Sequence, residues 1–348
     1  MTIPALCKSD TGFQFPARLN TYCWFVRITP ASVRYPAGPV PASTWNPDRA
    51  RDLGNGLGRD TRARGFFTIL GPGMDFYRTP FGGRNFEYMT GEDPFLGSKL
   101  APPIIREIQE QGVWACAKHY VCNDQEENRT NINTVVDERT LREIYLPPFE
   151  AAVKEGHTAT VMGAFNFVQI GNLPSAQCNE SSFLLTQVLK TEWGFTGFVM
   201  SDYAAIHNGV NAYLAGCDLD LPNGQFMNST TLGPLILNGT LPESILDDKV
   251  RRILREVVSF GFLDRQQLDT SIPLDDPRSE LAAINTAREG IVLLKNEGNL
   301  LPLRKHQVHS IAVMGPAALG APPTGFGSSF VTPISFVSEL EGIEDEVT

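Results

Sequence analysis

Short apolar runs that end abruptly in polar residues alternate along this chain with longer segments whose apolar positions fall three and four apart. Runs of the first kind predict buried, parallel strands; segments of the second kind predict amphipathic helices. The clearest run is Gly197-Phe198-Val199-Met200, which stops at Ser201-Asp202-Tyr203. A short helix and a second strand, from Gly216 to Pro222 and ending in carboxylates, are expected after it. Three earlier runs have the same form: residues 66–70 before Gly71-Pro72-Gly73, 113–117 before Lys118-His119, and 160–165 before Asn166.

Between them lie the helical patterns. Asn46-Pro47 reads as an N-cap with proline in the first turn, and Ala50, Leu53, Gly54 and Leu57 share one face until Gly65. Residues 97–112 and 137–155 are further helices, the second interrupted at Pro147-Pro148. Leu184, Leu185, Val188 and Leu189 mark another, stopped by Gly194, and residues 242–262 carry the last pattern of this series. Strand and helix thus alternate from residue 47 to 262, which predicts parallel βα units. Polar residues recur at strand ends, which favours a (β/α)8-type, TIM-like barrel over an open sheet, with its chemistry at the carboxyl ends of the strands. The expected division is a barrel over residues 1–262, a Pro/Asp-rich linker over 263–278, and the beginning of an α/β sandwich over 279–348. In that last part a helix is expected at 281–289, with strands at 291–294 and 310–314.

Composition narrows the function. Hydrophobic residues make up 42% and charged residues 20% of the 348, as in folded, globular chains. A net charge of -10 argues against nucleic acid or an anionic membrane surface as partner and is compatible with a neutral substrate. No apolar run approaches the length of a membrane span. The opening MTIPALCKSD lacks a basic segment followed by an apolar core, so no signal peptide is read there. The six cysteines form no CxxC pair and the five histidines no HExxH spacing, so neither a disulfide framework nor a metal is expected. GPGMDF is not a dinucleotide fingerprint, no P-loop occurs, and no cofactor is expected.

The stretch GFVMSDYAAIHNGVNAYLAGCDLDLP resembles the nucleophile region of glycoside hydrolase family three, where GFVMSDW is followed by AGLDLDMP. The resemblance implies that Asp202 attacks the anomeric carbon of a sugar, with Tyr203 beside it contacting substrate. MDFYRTPFGGRNFEYMTGEDPFLG is similar to the β-glucosidase segment whose Gly-Arg-Asn-Phe-Glu arginine binds the sugar, which makes Arg84 a substrate-binding residue. KHYVCNDQEENR is similar to the family's strand-end Lys-His pair, which implies that Lys118 and His119 bind hydroxyls of the sugar before the cleaved bond. VMGAFN stands for Met-Ser-Ala-Tyr-Asn: Met162 is a candidate pocket residue, with a core position the equal alternative for a strand residue, and Phe165 replaces a common tyrosine. The family's Asp-Gly-Pro aspartate falls at Asp10, although Thr11-Gly12 follows it here, and residues 13–35 match no family pattern.

AREGIVLLKNEGNLLPL and IAVMGP resemble the opening of the family's second domain, and residues 325–329 its glycine-serine loop. In two-domain members the acid/base is a Glu of that domain, at a position past residue 348. Glu341, Glu344 and Glu346 carry no supporting motif. A barrel-only branch, the bacterial β-N-acetylglucosaminidases, uses a His-Asp pair in KHFPGHG and DSH patterns, which this chain lacks. The resemblance therefore implies a retaining β-glucosidase acting on β-glucosides or short oligosaccharides, impaired if no acid reaches the site. The alternatives are a β-xylosidase or other exo-glycosidase, and a non-catalytic sugar-binding protein that kept the pocket.

Overall fold

The computed structural model describes residues 31–315, 318 and 331–347. Asp10 and the loop at 325–329 lie outside the described residues. Strands β1 (Thr68–Ile69), β2 (Trp114–Tyr120), β4 (Thr160–Gly163) and β7 (Phe198–Ser201) form one parallel sheet in the order β1-β2-β4-β7. A parallel bridge from Met200 to Leu219 continues it, so the expected strand at 216–222 is reduced to a single paired position. Each neighbour in the sheet is the next of these strands along the chain, without the reversal of order that marks a doubly wound sheet. The fold is an α/β barrel wall.

The two faces of this sheet bury two different sets of side chains, as a period of two requires. Ile69, Val113, Ala115, Ala117, Val161 and Val199 pack outward with Leu53, Leu57, Ile104, Ile108, Leu184 and Val188 of the helices. Leu70, Trp114, Cys116, Met162, Phe198 and Met200 pack inward with Leu221, Val257 and Phe262. The inward set is closed at one end by an aromatic group, in which the Trp114 ring centroid lies 5.2 Å from that of Phe198 and 4.7 Å from that of Phe262. With both faces covered, all of β2 is buried, which explains its unbroken apolar run.

Helix α1 (Pro47–Arg62) begins where the pattern predicts: the Asn46 side chain accepts the Asp48 N–H at 2.9 Å, and Pro47 fills the first turn. Helix α2 (Pro94–Glu110) starts three residues before the expected 97, because Asp93 accepts the N–H groups of Phe95 and Leu96 as an N-cap. The expected helix at 137–155 is divided at its prolines, with α3 at Pro147–Lys154. Phe183–Glu192 winds more widely, closing with a Trp193 N–H to Val188 carbonyl bond. Helix α4 spans Glu243–Ser259 and α5 Pro277–Gly290. No described helix is long and apolar enough to cross a membrane. A small second sheet, absent from the sequence reading, joins β3 (Asn133–Val136) in parallel to β5 (Phe167–Ile170), and β5 antiparallel to β6 (Ala176–Gln177).

Residues assigned to the linker are strapped to α1. Arg62 donates to the carbonyls of Gln266 and Gln267 and Arg59 pairs with Asp276 at 3.1 Å, while Ser279, the first residue past the linker, donates to the buried Asp60. The strands expected at 291–294 and 310–314 do not form. A strand exists only where a neighbour takes its N–H and carbonyl groups, and neither stretch pairs among the described residues. Ile291, Val292, Leu293 and Leu294 are left between 58% and 92% exposed. The acidic tail instead forms a helix, α6 (Glu339–Val347), opened by a capping box in which Ser338 and Glu341 bond reciprocally.

Helices α1 and α2 touch closely because Gly54 has no side chain: a Cβ there would lie 2.5 Å from the Ile104 carbonyl oxygen and 2.9 Å from its Cα. Backbone cannot yield as a flexible side chain can. Gly54→Ala is therefore expected to destabilise the fold by about 1–3 kcal/mol, read as a lower urea midpoint with an unchanged m-value.

Candidate active site

Lys118, Met162 and Met200 occupy one row across β2, β4 and β7. Below this row the barrel interior is apolar. Above it the strands end, and the polar residues begin. The Asp202 N–H donates to the Gly163 carbonyl at 3.2 Å, extending the ladder one step past β7, and the chain then turns so that the Tyr203 N–H donates to Asp202 Oδ1 at 2.7 Å. Asp202 is 6% exposed.

His119 reaches the same carboxylate from β2. Its Nε2 lies 3.2 Å from Asp202 Oδ2, the distance of an ion pair but out of line for a hydrogen bond, so Oδ2 accepts no aligned bond among the described residues. The histidine is held from behind. Asp75 accepts its backbone N–H at 2.8 Å, Asp75 Oδ2 also stands 3.4 Å from Nδ1, and the Tyr88 hydroxyl lies 3.2 Å from Nδ1. Asp75 further accepts the Asn123 N–H, tying the loop after β2 to the loop after β1.

Arg84 and Lys118 share one carboxylate, Glu87, at 2.8 and 3.3 Å. Arg84 also lies 3.6 Å from Glu126, which binds Arg129 at 2.6 Å and the Asn123 amide at 3.2 Å. The Arg129 guanidinium is stacked 3.8 Å above the ring of Phe165. Positive and negative groups alternate from Lys118 and Arg84 through Glu87 and Glu126 to Arg129, so each of these charges has an opposite beside it.

This setting decides the ionisation of Asp202. Burial by itself pushes the carboxyl up, but His119, Arg84 and the Tyr203 N–H outweigh it and hold the group below its ordinary value. Burial, with the negative charge of Asp202 next and the Cys116 thiol after it, pushes the neighbouring Tyr203 phenol up to about 12.

The structure thus brings together Arg84, Lys118, His119 and Asp202, with Tyr203 contributing its backbone. Met162 stands in the same row as Lys118 and is buried in the apolar interior cluster. Asp75, Tyr88, Glu126 and Arg129 escaped the sequence reading. Asp75 and His119 are 44 residues apart, and no spacing rule joins them. The one available signal was an aspartate set between apolar residues in GPGMDF. Of the tail carboxylates, Glu341 is used in its capping box and Glu346 pairs with Lys305. A cavity of about 380 Å³ beside Arg62, Gly112 and Arg265 lies at the opposite, amino-terminal ends of the strands, away from this cluster.

Residues 26–256 match the glycosyl hydrolase family 3 N terminal domain, and residues 291–348 match the C-terminal domain of the same family. The chain belongs to glycosyl hydrolase family 3. Thermostable beta-glucosidase B of Acetivibrio thermocellus is 38% identical over 313 residues, 90% of this chain and 39% of the relative. Beta-glucosidase BoGH3A of Bacteroides ovatus is 35% identical across 98% of this chain and 47% of its own length. Beta-glucosidase 3B of Thermotoga neapolitana, solved with glycerol, superposes with a TM-score of 0.83 at 36% identity, over 96% of this chain and 46% of that one. This family 3 chain therefore spans less than half the length of these three relatives.

The lowered pKa of Asp202 makes a prediction about stability. A folded value below 3.8 means that ionisation adds stability that is fully present above that pH and is lost as pH falls through the folded pKa. Replacing His119 with alanine removes the first of the groups that offset burial. Carbon-13 NMR of the aspartate carboxyls is expected to find Asp202 titrating below the ordinary aspartate range in the wild type and moved upward in His119→Ala.

Proposed function

We propose that this family 3 chain carries the nucleophile and the sugar-binding side of a retaining β-glucosidase, releasing glucose from the non-reducing end of β-glucosides. One observation supports the reading above all: Asp202 is buried, favoured in its ionised form, and keeps one oxygen without an aligned hydrogen bond among fixed cationic donors. A carboxylate so held is ready to attack carbon rather than to take up a proton. In this reading residues 1–262 are the barrel that carries the site, 263–278 the connection, and 279–348 the opening of the sandwich domain.

The first step forms a bond between Asp202 oxygen and the anomeric carbon while the bond from that carbon to the leaving oxygen breaks. Arg84, Lys118 and His119 hold the hydroxyls of the sugar by N–H donation, the guanidinium offering several donors in a fixed plane. Water then attacks the anomeric carbon as its bond to Asp202 oxygen breaks, the carboxylate leaving with the bonding pair and the proton of the water passing to solvent. The leaving oxygen needs a proton unless it is already a stable anion. Among the described residues, the other carboxyls of the cluster are committed: Asp75 to His119 and Asn123, Glu87 to Arg84 and Lys118, Glu126 to Arg129. None of them is disposed as the acid. That fact also favours a second reading, a sugar-binding protein without turnover, and the same experiment separates the two.

The 348-residue chain is expected to form a covalent adduct with a 2-fluoroglucoside bearing a dinitrophenolate leaving group, located by mass spectrometry on a peptide containing Asp202. Asp202→Asn is expected to form none. Natural disaccharides are expected to react far more slowly than dinitrophenyl glucoside, since general acid catalysis is typically worth about 10²–10⁴-fold. An adduct on another peptide overturns the nucleophile assignment, and saturable binding without any adduct supports the second reading.

Arg84→Ala is expected to lower kcat/KM for dinitrophenyl glucoside by about 10²-fold, the scale of a lost hydrogen bond to a charged group. The acid limb of that pH profile is expected to fall below the ordinary aspartate value, because Asp202 is held down. A limb near pH 6 would contradict it.

A further inference from the structure

A second polar cavity, of about 230 Å³, opens between the loop after β1, the loop after β2 and strand β3, lined among others by Arg78, Asp124, Gln125, Ile132, Thr134 and Tyr145. None of these residues takes part in the cluster around Asp202. At its wall, Asp124 Oδ2 accepts the Tyr145 hydroxyl at 3.2 Å, while Oδ1 is buried and has no hydrogen-bond partner among the described residues. A buried acceptor left unsatisfied is costly. From the geometry of this cavity we infer that it is a second binding site, for a single monosaccharide ring or a polyol of that size, with a ligand hydroxyl donating to Asp124 Oδ1.

The lining selects this class. An anion would meet the Asp124 carboxylate, and a bare cation would meet the Arg78 guanidinium. No group of three His, Cys, Asp or Glu residues suited to a metal exists among the described residues. What the wall offers is a carboxyl, a guanidinium, amides and hydroxyls set between the apolar side chains of Ile132 and Val135, a mixture that matches the hydroxyls and C–H faces of a sugar. The volume lies below the roughly 300–1,000 Å³ of pockets for drug-sized ligands, so one ring fits better than a disaccharide. The ionisation of Asp124 is consistent with an unfilled need for a donor. Burial, with Asp75 next, pushes its carboxyl up to about 7, and the Tyr145 hydroxyl and Arg78 offset this only in part. Cys122 also lines the cavity, and burial pushes its thiol pKa well up. Asp75 connects the two sites, because it holds the backbone of His119 and Asn123 while its charge bears on Asp124.

The choice of glucose as probe rests on the proposed function; the argument from the cavity does not. The test is methyl NMR of the intact chain labelled at isoleucine and methionine methyls. Ile132 reports the second cavity, and Met200, in the row beneath Asp202, reports the first site. On titration with D-glucose the Ile132 methyl is expected to shift and saturate, in the wild type and equally in Arg84→Ala. Asp124→Ala is expected to weaken that curve by at least about tenfold, and Thr134→Phe, which fills the cavity, to abolish it. Gln125→Ala serves as the milder variant should the phenylalanine disturb folding, as judged from the methionine methyl spectrum, and is expected to weaken the curve as well. A Met200 response without one at Ile132 overturns the second site and leaves the proposed function standing. An Ile132 response without one at Met200 does the reverse. An Ile132 curve unchanged by Asp124→Ala overturns the assignment of the acceptor and with it the proposal.

Discussion

Asp202 is a charge almost wholly withdrawn from water, and most of the surrounding architecture answers to that fact. A carboxylate in such a place either takes up a proton or is met by fixed donors and cations. Here His119, Arg84 and the Tyr203 N–H meet it. Each of these needs support of its own. His119 is braced by Asp75 and Tyr88, and Arg84 by Glu87 and Glu126, while Lys118 shares Glu87 and Arg129 shares Glu126. The requirement of one ionised oxygen thus spreads as alternating charge through the loops that follow β1 and β2.

Those loops can be placed so closely because the barrel beneath them cannot slide. Trp114, Cys116, Met162, Phe198 and Met200 fill its interior from three adjacent strands, while the alanines and valines between them face the helices. A shift of one residue in any strand would exchange the two sets and bring apolar surface to the strand ends. Register and site geometry are therefore one property of the fold. The closeness of α1 and α2 at Gly54 is part of the same rigidity, since it sets the helix layer against the outer face of β1 and β2.

The part of the chain beyond α5 lacks this reinforcement. Its apolar runs have the composition of strands, yet Ile291 to Leu294 and Ile311 find no strand partner among the described residues and stay exposed, Ile311 the least so. The segment ahead of it, with only modest apolar content, is bound firmly to α1 by the guanidinium groups of Arg59 and Arg62. Attachment here follows the availability of partners more than local hydrophobicity.

By itself the sequence determined the alternation of strand and helix, the caps at Asn46 and in the first turn of α1, the break at Pro147-Pro148, and which residues stand at strand ends: Lys118, His119, Asp202. These depend on neighbours within a few positions, where periodicity, capping and proline chemistry act directly. Only the tertiary structure decided that Asp75 braces His119, that Glu126 joins Arg84 to Arg129, that Met162 sits in the interior, that β3, β5 and β6 form a sheet, and that Asp124 faces a cavity. It also decided that the runs at 291–294 and 310–314 are not strands. Pairing and bracing join residues tens of positions apart, and whether two such groups meet depends on the path of everything between them, which no local pattern carries.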